Sequence, residues 1–343
     1  MPMTSRERVA EALHLREPDR VPWIELFIDP HLAEQLMHWG GPDSQTFNLE
    51  ENQYNWKQAL QIASFLNLDN IAYILRAPVF AHLLEGKDGR LYYGEGMFKS
   101  FADLEKVKLP DPYDGQLYKE AEEFVYNKGE YSAWFVTRIG LLSVMLSMGT
   151  EAFSYALYDN YPLVEEMLDL YCDWICVVAE RACQMGFDVF CSTDDMAYKT
   201  NTLFSPRIFR ALVMPRFERV KEKISIPWVI HSDGNMLPFM EDLMSLGIAG
   251  FHPNENGAMD IRWMKQNQGD RLCLLGNVDL NILTLGTCED VNAEVCGLIR
   301  DIAPGGGYIL SSGNCLAGYL NPENVLAMRD AVQQFGHYPI CAD

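Results

Sequence analysis

The amino-acid sequence predicts a (β/α)8 barrel of the TIM type, built as a single domain over residues 1–343. Eight short apolar stretches recur along the chain, and helical segments separate them. Stretches this apolar on both faces are typical of parallel strands covered by helices. A length of 343 residues suits one such barrel. The alternative fold is a doubly wound open sheet, but the chain has no G-x-G-x-x-G or Walker-type loop to support it.

The N-terminal region predicts a helix that precedes the barrel. Thr4 and Glu7 have capping-box spacing before an apolar-periodic run, so we expect this helix over residues 5–15. The first strand of the barrel follows as WIELFI at residues 23–28.

The next segment predicts a second strand and an insertion. A helical stretch around 53–66 leads to DNIAYIL at residues 69–75. Between residues 86 and 104 the chain is rich in aromatic residues and punctuated by glycine, which indicates a β-hairpin insertion.

The rest of the chain alternates regularly. Helices cover roughly residues 140–184, and Ser205-Pro206 and Asn321-Pro322 each place an N-cap before proline at the start of a helix. The final helix ends near Gly336. The six remaining strands are SAWFVTRI (132–139), DVFCST (188–193), IPWVIH (226–231), IAGFHP (248–253), LCLLGN (272–277) and YILSSG (308–313).

Charge and cysteine usage exclude several classes of partner. Lys and Arg number 27 against 48 Asp and Glu, so the formal net charge of −21 argues against nucleic acid and anionic membrane surfaces. No apolar run approaches the roughly 20 residues that span a bilayer. The start of the chain lacks the apolar stretch of a secretory signal. Nine cysteines without a C-x-x-C pair fit a reducing compartment, so we expect a cytoplasmic protein.

Chemistry in such a barrel is expected where the strands end at their carboxyl side. That rule selects polar side chains after each predicted strand. They are Glu25, Phe27 and Asp29 after the first strand, Arg76, Arg138, Asp194, Asp195 and Tyr198 after the next three, His231, Asp233 and Asn235 after the fifth, His252 and Glu255 after the sixth, Asn277 and Asp279 after the seventh, and Asn314 and Cys315 after the eighth.

These residues are rich in imidazole, carboxylate and thiolate groups, which bind zinc, and four of them are the candidate ligands: His231, Asp233, Glu255 and Cys315. His231 and Asp233 stand two apart, so their side chains point to the same side of the barrel. A catalytic zinc takes three protein ligands and keeps one position open. His231, Cys315 and one carboxylate satisfy that rule; Glu255 is the first choice, and Asp233 is a ligand or an outer partner.

Each of these residues also has a structural interpretation. A histidine at a strand end is often only a hydrogen-bonding residue, and Cys315 is small enough to pack beneath a loop. Asp194 and Asp195 suit a cap of the following segment as well as a site role. Asp279 is equally suited to cap a helix.

Several motifs together resemble the uroporphyrinogen decarboxylase superfamily over nearly the whole chain. They are TSRERVAEALHLREPDRVP, DDMAYKTNTLFSP, HSDGN, GNVDLNILTLGTCEDV, GGGYILSSGN and NPENVLAM. The resemblance implies the (β/α)8 fold. It argues against uroporphyrinogen decarboxylation itself, because the arginine-bearing loop of true decarboxylases reads ELFIDP here and their catalytic tyrosine aligns with Met145. A polyanionic porphyrinogen would also meet a strongly acidic protein.

The chain is closer in type to the superfamily's zinc-dependent methyltransferases, which work with corrinoid proteins. In coenzyme M members zinc is held by His-x-Cys and a later cysteine; His231 and Cys315 match two of these ligands, and Asp233 replaces the middle cysteine. The resemblance implies transfer of a methyl group from a small methylated substrate, such as a methoxylated aromatic, an alcohol or an amine, to the cob(I)alamin of a partner corrinoid-binding protein. It also allows a homodimer.

The resemblance further implies roles for residues at the mouth. The catalytic set is His231, Asp194 and Asp195. The substrate-binding set is Trp23, Glu25, Phe27, Arg138, Tyr198, Asn235, Asn277 and Asp279. Two other readings stay open at this point: a metal-free lyase that uses the same mouth, and a non-catalytic barrel that binds a tetrapyrrole or corrinoid.

Overall fold

The computed structural model describes residues 2–38, 52–86 and 91–340. The strands, in chain order, are β1 (Asn70–Ile74), β2 (Ala81–Glu85), β3 (Leu91–Gly96), β4 (Ser132–Thr137), β5 (Val189–Thr193), β6 (Ala197–Tyr198), β7 (Asn201–Thr202), β8 (Trp228–His231), β9 (Gly250–His252), β10 (Cys273–Leu275) and β11 (Tyr308–Ile309).

The helices run between these strands. They are α1 (Ser5–Leu13), α2 (Pro30–Met37), α3 (Trp56–Leu66), α4 (Phe101–Leu104), α5 (Lys119–Asn127), α6 (Leu141–Met148), α7 (Thr150–Asp159), α8 (Tyr161–Met185), α9 (Pro206–Ile208), α10 (Met214–Lys221), α11 (Met240–Ser245), α12 (Ile261–Gln268), α13 (Leu280–Leu285), α14 (Cys288–Ile302) and α15 (Pro322–Phe335). Gly115–Tyr118 and Leu237–Phe239 form 3₁₀ turns, and Phe209–Val213 forms a π-helical turn between α9 and α10.

Seven strands form one sheet in the order β1-β4-β5-β8-β9-β10-β11. All of its ladders are parallel, and helices connect its successive strands. This architecture confirms the predicted (β/α)8 barrel class, because each strand returns to the sheet through a helical crossover.

The eighth position in the barrel is taken by residues 22–28, which do not form the regular strand that WIELFI predicts. Trp23 and Ile28 make only isolated parallel bridges, to Leu310 and Leu316. On the other side the Asn70 side chain replaces a ladder: its Oδ1 accepts from the backbone N–H of Glu25 at 3.1 Å, and its Nδ2 donates to the Glu25 carbonyl at 2.9 Å. Side-chain hydrogen bonds therefore pair the backbone of Glu25 on this side, while the carbonyl of Trp23 accepts the backbone N–H of Asp69 at 2.7 Å.

Helix α1 closes the amino-terminal end of the barrel. Its buried Val9, Ala12 and Leu13 belong to an inner apolar cluster with residues from the barrel interior. The interior members are Ile24, Leu26, Ile74, Trp134, Val136, Val189, Cys191, Val229, Cys273, Leu275 and Ile309. Because α1 covers the amino-terminal end, we expect the functional site at the carboxyl-terminal end of the barrel.

A buried ion-pair network holds the seam between residues 20–23 and β1. Asp69 is fully buried and accepts from Arg8 Nη1 at 2.6 Å and from Arg20 Nη1 at 2.8 Å. The same carboxylate accepts the backbone N–H of Trp23 at 2.9 Å.

Most predicted elements are confirmed, with shifted bounds. The capping box of Thr4 and Glu7 is present, and α1 ends at Leu13. The hairpin insertion consists of β2 and β3, so it begins before the predicted range of 86–104, and its turn at 87–90 lies outside the described residues. The regular ladder of the last strand covers only Tyr308 and Ile309. Among the described helices, none combines the length and apolar character needed to cross a membrane.

Candidate metal centre

The register of three neighbouring strands brings the candidate residues to one level. Thr193 of β5 pairs with His231 of β8, and His231 pairs with His252 of β9. Asp195 and Asp233 each follow two residues after these strand positions, at the carboxyl ends of β5 and β8. Side chains from adjacent strands therefore meet at the mouth of the barrel.

Asp195, His231 and Asp233 form a carboxylate–imidazole cluster. The Nε2 atom of His231 lies 3.9 Å from Asp195 Oδ1 and 3.9 Å from Asp233 Oδ1. One potential ligand atom from each residue lies within 4.8 Å of the other two. His231 is 9% exposed, whereas the side chain of Asp195 is 38% exposed, so the cluster is buried on the histidine side and open on the Asp195 side.

Asp233 is the most constrained member of the cluster. Its Oδ2 accepts from Asn314 Nδ2 at 2.6 Å, while its buried Oδ1 has no hydrogen-bond partner. Its backbone N–H donates to Asp195 Oδ1 at 3.1 Å. Burial raises the pKa of Asp233 to about 6; His231 opposes this effect, and the charges of Asp195 and Glu255 add to it.

A second buried histidine lies behind the cluster. His252 Nδ1 lies 2.6 Å from His231 Nδ1, and His252 Nε2 lies 2.9 Å from Ser311 Oγ. His252 is fully buried, and this burial, followed by the charge of His231, lowers its pKa well below the usual range.

The loop of sequence HSDGN (residues 231–235) contains a glycine, Gly234, that another residue type could not replace without strain. Gly234 has φ +87°, and a Cβ there would lie 2.5 Å from the carbonyl carbon of Ala197. Its backbone N–H donates to Glu255 Oε2 at 2.7 Å, and Lys199 Nζ lies 3.9 Å from Glu255 Oε1. Glycine at this position therefore lets the loop that carries Asp233 approach the loop after β5.

The cluster fits a divalent cation. A buried carboxylate oxygen without a partner is costly, and a cation beside it would offset that cost. Two carboxylates and one imidazole are oxygen and nitrogen ligands that zinc accepts. The exposed side of Asp195 leaves a direction from which a further ligand can approach.

The structure separates the predicted metal ligands into two sets. His231 and Asp233 belong to the cluster, together with Asp195, which the sequence suggested as a catalytic residue. Glu255 and Cys315 lie outside this group: Glu255 holds the Gly234 backbone, and Cys315 is half-buried against the hydrophobic core. Their roles as ligands stay predictions.

Three other predicted residues stabilise the loops around the mouth. Asp194 is buried and accepts the backbone N–H groups of Ile139 at 2.6 Å and Leu142 at 2.9 Å. Burial raises its pKa. Asp279 caps α13, and Asn277 donates to the carbonyl of Asn254 at 2.5 Å and to Asn256 Oδ1 at 2.9 Å. Their catalytic or substrate roles stay predictions.

Predicted substrate residues from the first strand lie around a separate small cleft of about 50 Å³. Glu25 and Phe27 line it together with Tyr54 and Asn70. Glu25 is buried, accepts from Trp23 Nε1 at 2.9 Å and from Ser312 Oγ at 2.7 Å, and burial raises its pKa to about 7.

The remaining predicted substrate residues differ in exposure. Tyr198 is half exposed, Arg138 is buried, and Asn235 donates its backbone N–H to the Tyr198 carbonyl at 3.0 Å. Tyr198 and Asn235 therefore lie together beside the loop that carries Asp233.

The sequence assigns no role to Asn314, which contacts Asp233, to His252, which contacts His231, or to Ser311, which contacts His252. Asn314 and His252 are among the residues that the sequence places at strand ends, and Ser311 is not. The pairing of His231 with His252 is the signal that identifies His252, because inward side chains on adjacent strands meet at the same level. That pairing requires a register that the sequence does not state.

Comparison with known proteins places the chain near one family. A family model for uroporphyrinogen decarboxylase (URO-D) matches residues 90–335. The uroporphyrinogen decarboxylase of Pseudoalteromonas translucida is 32% identical over 71 residues, covering 21% of this chain and 20% of that protein. The enzyme of the same name from Neisseria meningitidis is 25% identical over 140 residues, 41% of this chain and 37% of that protein. The alignments thus span well under half of these relatives.

A solved structure matches over almost the entire chain. A methyltransferase from Methanosarcina mazei superposes with a TM-score of 0.76 and 20% sequence identity. The match covers 97% of this chain and 99% of that one. At this identity the likeness shows a shared fold.

Proposed function

The chain belongs to the uroporphyrinogen decarboxylase family, and from this premise we propose that it is a zinc-dependent methyltransferase with a corrinoid partner. The proposed reaction moves a methyl group from a small methylated substrate, such as a methyl ether, alcohol or amine, to the cob(I)alamin of a partner corrinoid-binding protein. The observation that carries the proposal is the carboxylate–imidazole cluster at the barrel mouth, with its unpartnered Asp233 Oδ1.

The cluster supplies the proposed zinc ligands. His231 Nε2 and the Oδ1 atoms of Asp233 and Asp195 would hold the ion and leave one position open. Glu255 and Cys315, proposed as ligands from the sequence, are the alternatives to these carboxylates. Bound zinc would act as a Lewis acid on the heteroatom that carries the methyl group, which makes that heteroatom a better leaving group.

The chain's own residues keep this site ordered. Asn314 holds Asp233 Oδ2, and the Asp233 backbone N–H holds Asp195 Oδ1, so the two carboxylates keep a fixed separation. Their mutual repulsion would be relieved by the cation. Tyr198 is half exposed beside the loop that carries Asp233, and in this proposal it contacts an aromatic substrate.

The match to a solved methyltransferase over nearly the whole of both chains is consistent with this choice, because it shows that a protein of this fold is named as a methyltransferase. The sequence supports it too, because the arginine-bearing loop of true decarboxylases is replaced by ELFIDP. A metal-free lyase in the same mouth is the rival function, and it predicts turnover without zinc.

Metal analysis combined with a transfer assay tests the proposal. Freshly purified protein is expected to carry zinc and to methylate added cob(I)alamin from a panel of methylated substrates, followed by visible absorbance. His231→Ala and Asp233→Asn are each expected to lose zinc and turnover, because each removes a proposed ligand.

Asp242→Asn is the matched control, since Asp242 bonds Arg210 on the surface and not the cluster. It is expected to keep zinc and activity. A wild-type protein that binds no zinc, or turnover that persists in His231→Ala, would rule out the zinc mechanism.

A further inference from the structure

We propose that Ser311 and His252 form a directional hydrogen-bond relay that fixes His231 as its Nδ1–H tautomer. The relay leaves the lone pair of His231 Nε2 aimed at Asp195 and Asp233. Ser311 and His252 are positioning residues in this scheme. The inference rests on the proposed function only in identifying the aimed nitrogen as a metal ligand.

The hydrogen-bond donors and acceptors of the relay can be assigned from Ser311. Its Oγ lies 3.0 Å from the carbonyl oxygen of Ser312, which accepts and does not donate. The single hydroxyl hydrogen of Ser311 is therefore committed to that carbonyl. Towards His252, 2.9 Å away, the Ser311 oxygen can only accept, so His252 Nε2 carries the hydrogen.

The hydrogen on His252 Nε2 then determines which nitrogen of His231 is protonated. A neutral imidazole has one N–H and one lone pair. His252 is fully buried, and its two side-chain partners are a histidine and a serine, neither of them an anion, which favours the neutral ring. With Nε2 protonated, His252 Nδ1 holds the lone pair, and it accepts from His231 Nδ1–H across 2.6 Å.

His231 then presents a lone pair to the cluster. Its Nε2 lies 3.9 Å from an oxygen of each carboxylate, a separation that leaves room for an ion between them. The opposite tautomer would point an N–H into this space and deny the cation its nitrogen ligand. A ligating histidine commonly donates its other ring nitrogen to a partner that sets its orientation, and here that partner is another histidine.

Burial and register keep the relay in place. Ser311 and His252 are fully buried, so water does not compete for their hydrogen bonds. The two rings meet edge to edge through their Nδ1 atoms, with centroids 4.9 Å apart and planes 28° from parallel, because β8 and β9 pair His231 with His252. The two histidines of the relay are thus held in place by the pairing of β8 and β9.

Histidine tautomers measured by long-range ¹H–¹⁵N NMR on zinc-free, ¹⁵N-histidine-labelled protein test the relay directly. We expect His231 as the Nδ1–H tautomer and His252 as the Nε2–H tautomer. His231 observed as the Nε2–H tautomer, or His252 observed as the Nδ1–H tautomer, would overturn the proposal.

Two pairs of variants test the relay by substitution. His252→Leu removes the acceptor of His231 Nδ1–H, whereas His252→Asn keeps an acceptor oxygen near the same place. Ser311→Ala removes the end of the relay. Ser132→Ala is its control, because Ser132 is also a buried serine that accepts from an aromatic ring, Trp134 Nε1 at 3.0 Å, but at the amino-terminal end of its strand.

We expect His252→Leu and Ser311→Ala to populate the Nε2–H tautomer of His231 and to weaken zinc affinity about 10- to 100-fold, as loss of an outer hydrogen-bond partner does at other zinc sites. His252→Asn and Ser132→Ala are expected to retain the Nδ1–H tautomer. An unchanged tautomer in folded His252→Leu would overturn the relay.

The NMR readout separates the two proposals. A wild-type protein that binds no zinc yet shows the expected tautomers contradicts the proposed function and supports the relay. If the purified protein carries stoichiometric zinc but the zinc-free protein shows the opposite tautomers, the result supports the proposed function and contradicts the relay.

Discussion

At the scale of single residues, Glu25 shows how burial changes the chemistry of a carboxyl group. Its oxygens accept from Trp23 and Ser312, and among the described residues no cationic side chain pairs with it. Burial therefore outweighs these hydrogen bonds and raises its pKa from 4.5 to about 7.

This shift predicts a pH-dependent stability. Between pH 4.5 and about 7 the folded protein holds a proton that the unfolded chain releases, so the free energy of unfolding falls as pH rises through this window. The full effect is about 3 kcal/mol. Glu25→Gln is expected to remove this contribution and to raise Tm at pH 8 but not at pH 4, measured by thermal unfolding. An equal Tm change at both pH values would contradict the prediction.

Gly234 is a position at which an added Cβ atom would clash with the backbone of Ala197. Gly234→Ala would place a Cβ 2.5 Å from the backbone of Ala197 at φ +87°, so we expect a loss of more than about 1 kcal/mol in unfolding free energy together with weaker zinc binding.

Gly305→Ala is the matched control for that variant. Gly305 has φ +80°, but nothing lies within 4 Å of its Cβ position. It is expected to share the backbone strain and to keep zinc affinity, as measured by competition with a chromogenic chelator. Equal zinc affinities in the two variants would show that the clash does not reach the site.

At the scale of elements, the seam between residues 20–23 and β1 depends on Asp69. Asp69→Asn leaves Arg8 and Arg20 buried beside a neutral amide. We expect this change to cost about 3–5 kcal/mol in chemical denaturation, because the buried guanidinium of Arg20 loses its carboxylate partner, whereas Arg8 keeps Asp19 at 2.6 Å.

A surface carboxylate with two arginines provides the comparison. Asp301 bonds Arg262 at 2.7 Å and Arg300 at 2.8 Å, and its side chain is 25% exposed. Asp301→Asn is expected to cost less than about 1 kcal/mol, since solvent replaces the lost interactions. Similar costs for the two substitutions would mean that burial does not strengthen the Asp69 network.

At the scale of the whole molecule, the two ends of the barrel have different tasks. Leu13 of α1 is buried among the inner cluster at the amino-terminal end, whereas the carboxylate–imidazole cluster lies at the mouth. Leu13→Ala is expected to cost about 2–5 kcal/mol of stability. It is expected to leave zinc content unchanged in the folded protein, because stability and function separate between the two ends.

Leu285→Ala provides the same change on the surface, where Leu285 is 82% exposed. It is expected to alter stability by no more than about 0.5 kcal/mol. Loss of zinc from folded Leu13→Ala protein would show that the two ends are coupled.

Local signals in the sequence are enough to predict which segments form helices and strands, and in what order. Apolar runs on both faces, capping boxes and N-cap–proline pairs are local signals, so they predicted the alternation of strands and helices and the capping of α1. The same alternation predicted that polar residues after the strands meet at one end, which placed His231 and Asp233 in the same region.

Tertiary contacts determine which of two neighbouring side chains, Asp194 or Asp195, belongs to the carboxylate–imidazole cluster. Asp194 and Asp195 are adjacent in sequence, yet Asp194 accepts backbone N–H groups of Ile139 and Leu142 while Asp195 faces His231. Successive residues near a strand end point in different directions, so a shift of one position exchanges a structural carboxylate for a site carboxylate.

The same holds for the first strand and for the histidine relay. Residues 22–28 close the barrel through the side chain of Asn70, a long-range contact that periodicity does not contain. His252 meets His231 because two strands pair in one register, and Ser311 reaches His252 from a third part of the chain. The pattern of the sequence is local, whereas the site is made by contacts between residues far apart along the chain.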